Sequence, residues 1–171
     1  AAESHVDNSF NNSFAFTKTN TFGSHVFFEN CKINKVKNIL HVSTDEVYGQ
    51  KLIGKSLEGD KLLPTNPYSA SKAAAEMVAL SYNKSFNTNI TIIRSNNLYG
   101  TRQYPEKLIP KTILSFLNNK KMEIHGNGKQ IRHYLHIDDF TDGILFIIKK
   151  KIKNEIINFG TSEYYTNKKL V

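Results

Sequence analysis

The chain has 171 residues, 39% of them apolar and 22% charged, and a net charge of +8. That length suffices for a core of ordinary domain size, and no apolar run reaches the roughly 20 residues that a membrane-spanning helix needs. The single cysteine, Cys31, excludes an internal disulfide and fits a reducing, cytoplasmic compartment.

The positive charge is nearly all lysine, Arg94, Arg102 and Arg132 being the arginines. Its densest run, Lys149-Lys150-Lys151-Ile152-Lys153, falls at a predicted helix end, where cations complement the helix dipole. It is read as a solvated surface that attracts an anionic substrate, not as a nucleic-acid track.

In chain order, Ala1 to Asp7 reads as the end of a strand plus a loop, without the basic start and apolar stretch of a leader. Phe10 to Lys32 reads as one long helix, from the spacing of Phe14, Ala15, Phe22, Val26 and Phe27, with Cys31 a small apolar residue on its face. Asn38 to Ser43 reads as a buried strand that runs straight into Thr44-Asp45-Glu46. Gly49 to Ser56 spells the phosphate-loop pattern G-x-x-x-x-G-K-S. That cradle needs a helix beginning at its Lys-Ser, and Leu57-Glu58-Gly59-Asp60 followed by Pro64 and Pro67 does not supply one. The three Asn-x-Ser/Thr sequons carry no weight without secretion.

Asn66-Pro67 opens the clearest helix, Tyr68 to about Lys84, narrow because of its alanines. Asn89 to Ser95 is a strand, Asn96 to Tyr104 a loop, Pro105 to about Asn118 a helix containing Pro110, and Lys121 to His125 a short strand. Gly126-Asn127-Gly128 is a tight turn, lacking the third glycine and the following helix of a dinucleotide fingerprint. Arg132 to Ile137 is extended, Asp138 caps a helix ending near Lys151, and Glu155 to Phe159 is a further strand. Strands alternating with helices predict a parallel α/β sheet. His133 and His136 fall on opposite sides of an extended segment and have no Cys/His partner set, so no metal site is expected.

Two groups of residues carry chemistry. Asp45 and Glu46 stand where a strand ends, the place where open α/β sheets bind ligands, and are candidates for acid and base work. Tyr68 and Lys72 are one helical turn apart on the same face. A fixed cation there lowers the pKa of the phenol and makes it a usable base.

Together, Ser43-Thr44-Asp45-Glu46-Val47-Tyr48-Gly49 and Pro64-Thr65-Asn66-Pro67-Tyr68-Ser69-Ala70-Ser71-Lys72 resemble the extended short-chain dehydrogenase/reductase superfamily, and within it the nucleotide-sugar 4,6-dehydratases. Ala1 to Asp7, Asn96 to Gly100, Tyr104 to Pro110 and Gly126 to Arg132 agree with that pattern. The resemblance implies a partial, Rossmann-like doubly wound parallel sheet over residues 1–100. Residues 101–171 would be part of a smaller C-terminal substrate-binding domain, interleaved with the last sheet strands. It also implies an NAD-dependent lyase that converts a dTDP- or UDP-glucose to the 4-keto-6-deoxy sugar.

By the same resemblance, Tyr68, helped by Lys72 and Thr44, takes the C4 hydroxyl proton. Glu46 is the base at C5 and Asp45 the acid at the C6 hydroxyl. Ala1, Ala2, Thr19, Tyr68 and Lys72 line NAD, while Ser4, Thr44, Asn97, Lys107, Arg132 and Asn167 face the sugar nucleotide. A homodimer through helices flanking the Tyr-Lys helix is implied, with no nucleic-acid or membrane partner.

The family pattern begins with a Gly-rich NAD-binding segment ahead of these residues and continues beyond them. The chain therefore reads as a middle portion that holds NAD weakly and is inactive alone. Two other readings stand beside the dehydratase. One is a related epimerase or decarboxylase, which in the family pattern lacks the Asp-Glu pair. The other is a non-catalytic binding subunit.

Overall fold

Ile90–Ser95 (β2) is a run of six consecutive buried residues, the pattern of a strand covered on both faces. It pairs in parallel with Ile39–Thr44 (β1), from Ile39 opposite Ile90 to Thr44 opposite Ser95. Ile156–Phe159 (β5) completes a sheet of order β1-β2-β5. This computed structural model describes residues 2–51, 54–122, 124 and 127–171.

The chain forms two compact units. The first is 1–95 with 150–158; the second is 96–149 with 159–171. The segment at 150–158 rejoins the first unit because β5 lies beside β2: the Ile92 amide donates to the Glu155 carbonyl at 2.9 Å.

In the first unit, Pro67–Phe86 (α4) is a 20-residue helix. Asn66 caps it in a reciprocal box with Ser69, Pro67 takes its favoured early position, and Asn87 ends it in a left-handed conformation. Its small face lets Ala79 and Tyr82 pack with Phe28, Cys31, Ile39, Ile90 and Ile92 in the main core. Full burial of each of the large apolar side chains contributes roughly 1.5–3 kcal/mol.

The expected continuous helix over Phe10–Lys32 is instead four pieces: Val6–Asn11 (α1), Ser13–Phe16 (α2), a π-helical segment Thr17–Phe22, and Gly23–Ile33 (α3). Asn12 leaves helical geometry and its side chain caps α2 by accepting the Ala15 amide. In the π segment, Asn20 is buried. Its Oδ1 accepts the Glu3 amide, and its Nδ2 donates to the Glu3 carbonyl and to Ser71 Oγ, each at 2.9 Å. These bonds pin the start of the chain to α4, so residues 2–5 are an irregular segment leading into α1, not the end of a strand.

In the second unit, Asn97–Tyr99 (β3), expected as loop, pairs in parallel with Ile131–His136 (β4). Tyr164–Thr166 (β6), not foreseen from the sequence, pairs antiparallel with β4, so this sheet is mixed. Leu108–Leu117 (α5) begins after Lys107, not at Pro105. Pro110 sits in its first turn, where the missing N–H has no helical partner to lose. Ile137–Lys150 (α6) carries Asp138 inside its first turn, not at the cap. Phe140 and Ile147 of α6 are buried, and the Phe159 ring lies where a side chain at Gly143 would go. Asn167–Leu170 (α7) closes the chain. Of the strand expected at Lys121–His125, Lys121, Met122 and Ile124 are irregular; Glu123, His125 and Gly126 lie outside the described residues.

Candidate active site

The end of β1 and the start of α4 bring Thr44, Asp45, Glu46, Tyr68 and Lys72 together. Thr44 is the last residue of β1, and Asp45–Tyr48 form a single 3-10 turn after it. The Thr44 hydroxyl lies 3.4 Å from Asp45 Oδ1 and accepts the Glu46 amide at 3.3 Å, which holds the two carboxylates in a fixed turn. The same hydroxyl is hydrogen-bonded with the Tyr68 phenol. Asn66 Nδ2 donates to Glu46 Oε2 at 3.1 Å, tying the acidic turn to the cap of the helix that carries Tyr68 and Lys72.

Lys72 is buried, and its Nζ donates to the Val42 carbonyl at 2.7 Å, anchoring α4 to β1. Burial lowers its pKa, opposed by the charge of Glu76 one turn further along. Burial likewise raises the Tyr68 phenol, to about 12; the negative charges of Glu46 and Asp45 add to the rise, and the hydrogen bond with Thr44 opposes it. The expectation that Lys72 would bring the phenol down is thus corrected: the ammonium donates to a strand carbonyl, and burial and the charges of Glu46 and Asp45 raise the phenol. Burial first, and the nearby carboxylates second, favour the protonated phenol.

His41, beside Val42 on β1, packs edge-on against Phe28, and its buried Nε2 has no partner. Burial, then the Lys72 charge, push its pKa down to about 3. The folded protein therefore keeps His41 neutral where the unfolded chain takes up a proton. Stability is fully present above the unfolded value near 6.5 and is lost as pH falls toward 3. From pH 7.5 to pH 5 this amounts to about 2 kcal/mol. Unfolding midpoints of the chain and of His41→Phe across that range check it: the variant loses most of the slope attributable to this site.

A second set of bonds, not legible in the sequence, clamps the acidic turn from behind. The Tyr48 hydroxyl accepts from Arg94 Nη1 at 2.7 Å and donates to Asn158 Oδ1 at 2.7 Å. Arg94 Nη2 donates to Glu76 Oε2 at 2.7 Å and its Nε donates to the same oxygen at 3.0 Å. Gly49 ends the turn at φ 73°, where an added Cβ would stand 2.1 Å from the Leu63 carbonyl oxygen, so only glycine fits. The pattern Y-G after D-E-V was the sequence signal; the partners of Tyr48 were not.

The other expected residues lie as follows. Ala1 is outside the described residues; Ala2 and Ser4 are exposed in the segment before α1. Thr19 is exposed on the π segment, and it is Asn20 beside it that turns inward. In the second unit, Asn97 pairs with Tyr134 across β3 and β4. Arg132 is exposed on β4, opposite Tyr165 of β6, and Asn167 follows directly after β6. The Asn167 Oδ1 is buried without a hydrogen-bond partner, as a residue awaiting a ligand donor would be. Lys107 occupies the N-cap position of α5 and pairs with Glu106 at 3.6 Å. His133 Nδ1 meets the Thr161 carbonyl, and His136 Nδ1 lies 3.5 Å from Asp138.

A parallel strand that ends at Thr44 and turns through Asp45-Glu46, beside a helix opening with Tyr-x-x-x-Lys, defines a Rossmann-like α/β protein with a cluster of ionisable side chains at the strand end. Residues 1–160 match the NAD dependent epimerase/dehydratase family, and the chain belongs to that family. A dTDP-D-glucose 4,6-dehydratase of Dictyostelium discoideum is 48% identical over 98% of this chain and 41% of its own length. A trifunctional UDP-glucose 4,6-dehydratase/UDP-4-keto-6-deoxy-D-glucose 3,5-epimerase/UDP-4-keto-L-rhamnose-reductase of Arabidopsis thaliana is 47% identical over 95% of this chain and 25% of its own length. Among solved structures, a double mutant of the Streptomyces venezuelae dTDP-glucose 4,6-dehydratase DesIV with NAD bound superposes with a TM-score of 0.97 at 36% identity, covering 99% of this chain and 53% of that one. The chain spans from a quarter to about half the length of these relatives.

Proposed function

We propose that this chain carries the catalytic acid-base site of an NAD-dependent nucleotide-glucose 4,6-dehydratase, acting on dTDP- or UDP-glucose. The observation that carries this reading is the Asp45-Glu46 pair, held in one turn close enough for both charges to act on the phenol of Tyr68. An epimerase that only oxidises and reduces C4 needs the tyrosine and lysine but has no use for two further carboxyl groups.

The residues present suit NAD. Lys72 is a buried ammonium with donors to spare beyond the Val42 carbonyl. The Ser43 hydroxyl at the end of β1 is buried without a partner. These, with Ala1, Ala2, Thr19 and Tyr68, would hold the cofactor. When bound, NAD supplies a hydride acceptor and a positive ring charge that favours the phenolate.

Tyr68 takes the proton of the C4 hydroxyl, with the Thr44 hydroxyl orienting the phenol. A ketone at C4 acidifies the C5 hydrogen, and Glu46 removes it as a proton. Asp45 gives a proton to the C6 hydroxyl, which departs as water; the 5,6-alkene left would take the C4 hydride back at C6 and a proton at C5 through Glu46, so that no net oxidation occurs. One carboxyl group must thus be charged and its neighbour protonated; their mutual repulsion favours that split. Ser4, Thr44, Asn97, Lys107, Arg132 and Asn167 would bind the sugar nucleotide, Lys107 and Arg132 at the diphosphate. A substrate-binding role for residues 101–171 rests on these assignments.

A reducing, cytoplasmic setting is consistent with Cys31 as a free buried thiol. No described helix is long and apolar enough to cross a membrane. Exposed Phe22 and Phe27, with Met77 on α4, supply apolar surface in support of a homodimer. The test is to incubate the natural gene product with NAD and each nucleotide-glucose and to identify the product. A 4-keto-6-deoxy sugar supports the reading; the C4-inverted hexose overturns it.

A further inference from the structure

The side chain of Asn66 does two things at once. Its Oδ1 accepts the Ser69 amide at 2.8 Å, closing the cap of α4, and its Nδ2 donates to Glu46 Oε2 at 3.1 Å. The two partners fix the amide one way round. Turned over, it would set oxygen against carboxylate and NH2 against N–H. The backbone of Asn66 is held as well: its amide donates to Ser69 Oγ, and its carbonyl accepts from Ser69 Oγ and the Ala70 amide. Asn66 is therefore a rigid donor, set by the helix that also fixes Tyr68 and aimed at the carboxylate of the acidic turn. Serine or aspartate would cap the helix about as well as asparagine. Neither would present an N–H to Glu46.

We propose that Asn66 is a positioning residue for the reaction: its amide N–H holds Glu46 in place, and charged, as the proton acceptor at C5. This rests on the dehydratase reading above. A donor bonded to the carboxylate favours its charged form, and a carboxylate in the same place would disfavour it. Among the described titratable groups, Asp45 adjoins Glu46 on its own turn and Tyr68 on α4 feels its charge. Neither has an N–H to give to the carboxylate, and a charge on either repels it. The Asn66 amide has one and gives it to Glu46 Oε2.

The test isolates Glu46 from the redox half of the reaction. The complete gene product with NAD is given a nucleotide 4-keto-6-deoxyglucose in deuterated buffer, and the rate of deuterium entry at C5 is followed from pH 5 to pH 9. Asn66→Ser and Asn66→Asp are compared with the parent, and their unfolding midpoints are measured alongside. Expected are near-parental unfolding midpoints and an acidic limb that moves up in pH. The move is small for Asn66→Ser and about one pH unit for Asn66→Asp. A purely structural role would lower the rate evenly across pH and leave the limb in place, which overturns the proposal. Glu46→Gln is the control. If it still exchanges C5 at the parental rate, the dehydratase reading itself fails and the inference falls with it. If it stops exchange while the two Asn66 variants keep the parental limb, the inference alone is wrong.

Discussion

Arg94→Met is expected to cost about 3–5 kcal/mol of folding stability, because it leaves the buried Glu76 carboxyl group without its guanidinium partner. The side chains of Arg94 and Glu76 are 2% and 0% exposed, and their bond is 2.7 Å long. The guanidinium also donates to the Glu58 carbonyl and to Tyr48, so the back of the acidic turn loosens as well. Adding Glu76→Leu should restore most of the loss, since removing both charges avoids the uncompensated one. Denaturant unfolding of parent, single and double variants reads this directly. A single variant within about 0.5 kcal/mol of the parent, the range of an ordinary surface change, would show that the pair is not buried as described.

Glu46→Gln is expected to lower turnover by a factor of about 10²–10⁴, the usual worth of a positioned general base. The shape of the side chain and the bond with Asn66 can persist, so the loss is chemical and not structural. Tyr68→Phe should abolish turnover to a similar degree by a different route. The two separate when the 4-keto sugar is supplied ready-made. Exchange of its C5 hydrogen needs Glu46 but not the phenol, so it survives in Tyr68→Phe and disappears in Glu46→Gln. Equal loss in both variants would mean that the roles given to the two residues are wrong.

Much of this was legible in the sequence where local chemistry is strong. The β1 strand and its abrupt acidic end, and the Asn-Pro opening of the alanine-rich α4, appear at the expected places because pattern, capping and turn residues agree there. The N-terminal helix is where it was expected from Ser13 to Ile33, but its break at Asn12 and its π segment were not foreseen, because the π segment serves bonds from Asn20 to Glu3 and Ser71 that no local pattern announces. β3 and β6, three residues each, are too short to show a period. In the site, the residue types were readable but the electrostatics were not. Tyr68 and Lys72 suggested a cation lowering a phenol, whereas the fold buries the ring and sets it within reach of the charges of Glu46 and Asp45. Asn66 reads from the sequence only as a helix opener, and Arg94 only as one of few arginines. Their roles follow from who stands opposite them.

The claim that the Asp45-Glu46 pair performs dehydration is tested most directly by turning over nucleotide-glucose in deuterated water with the complete gene product and NAD, and locating the label. The account predicts a 4-keto-6-deoxy sugar carrying solvent deuterium at C5. A product inverted at C4 with no deuterium at C5 would contradict it.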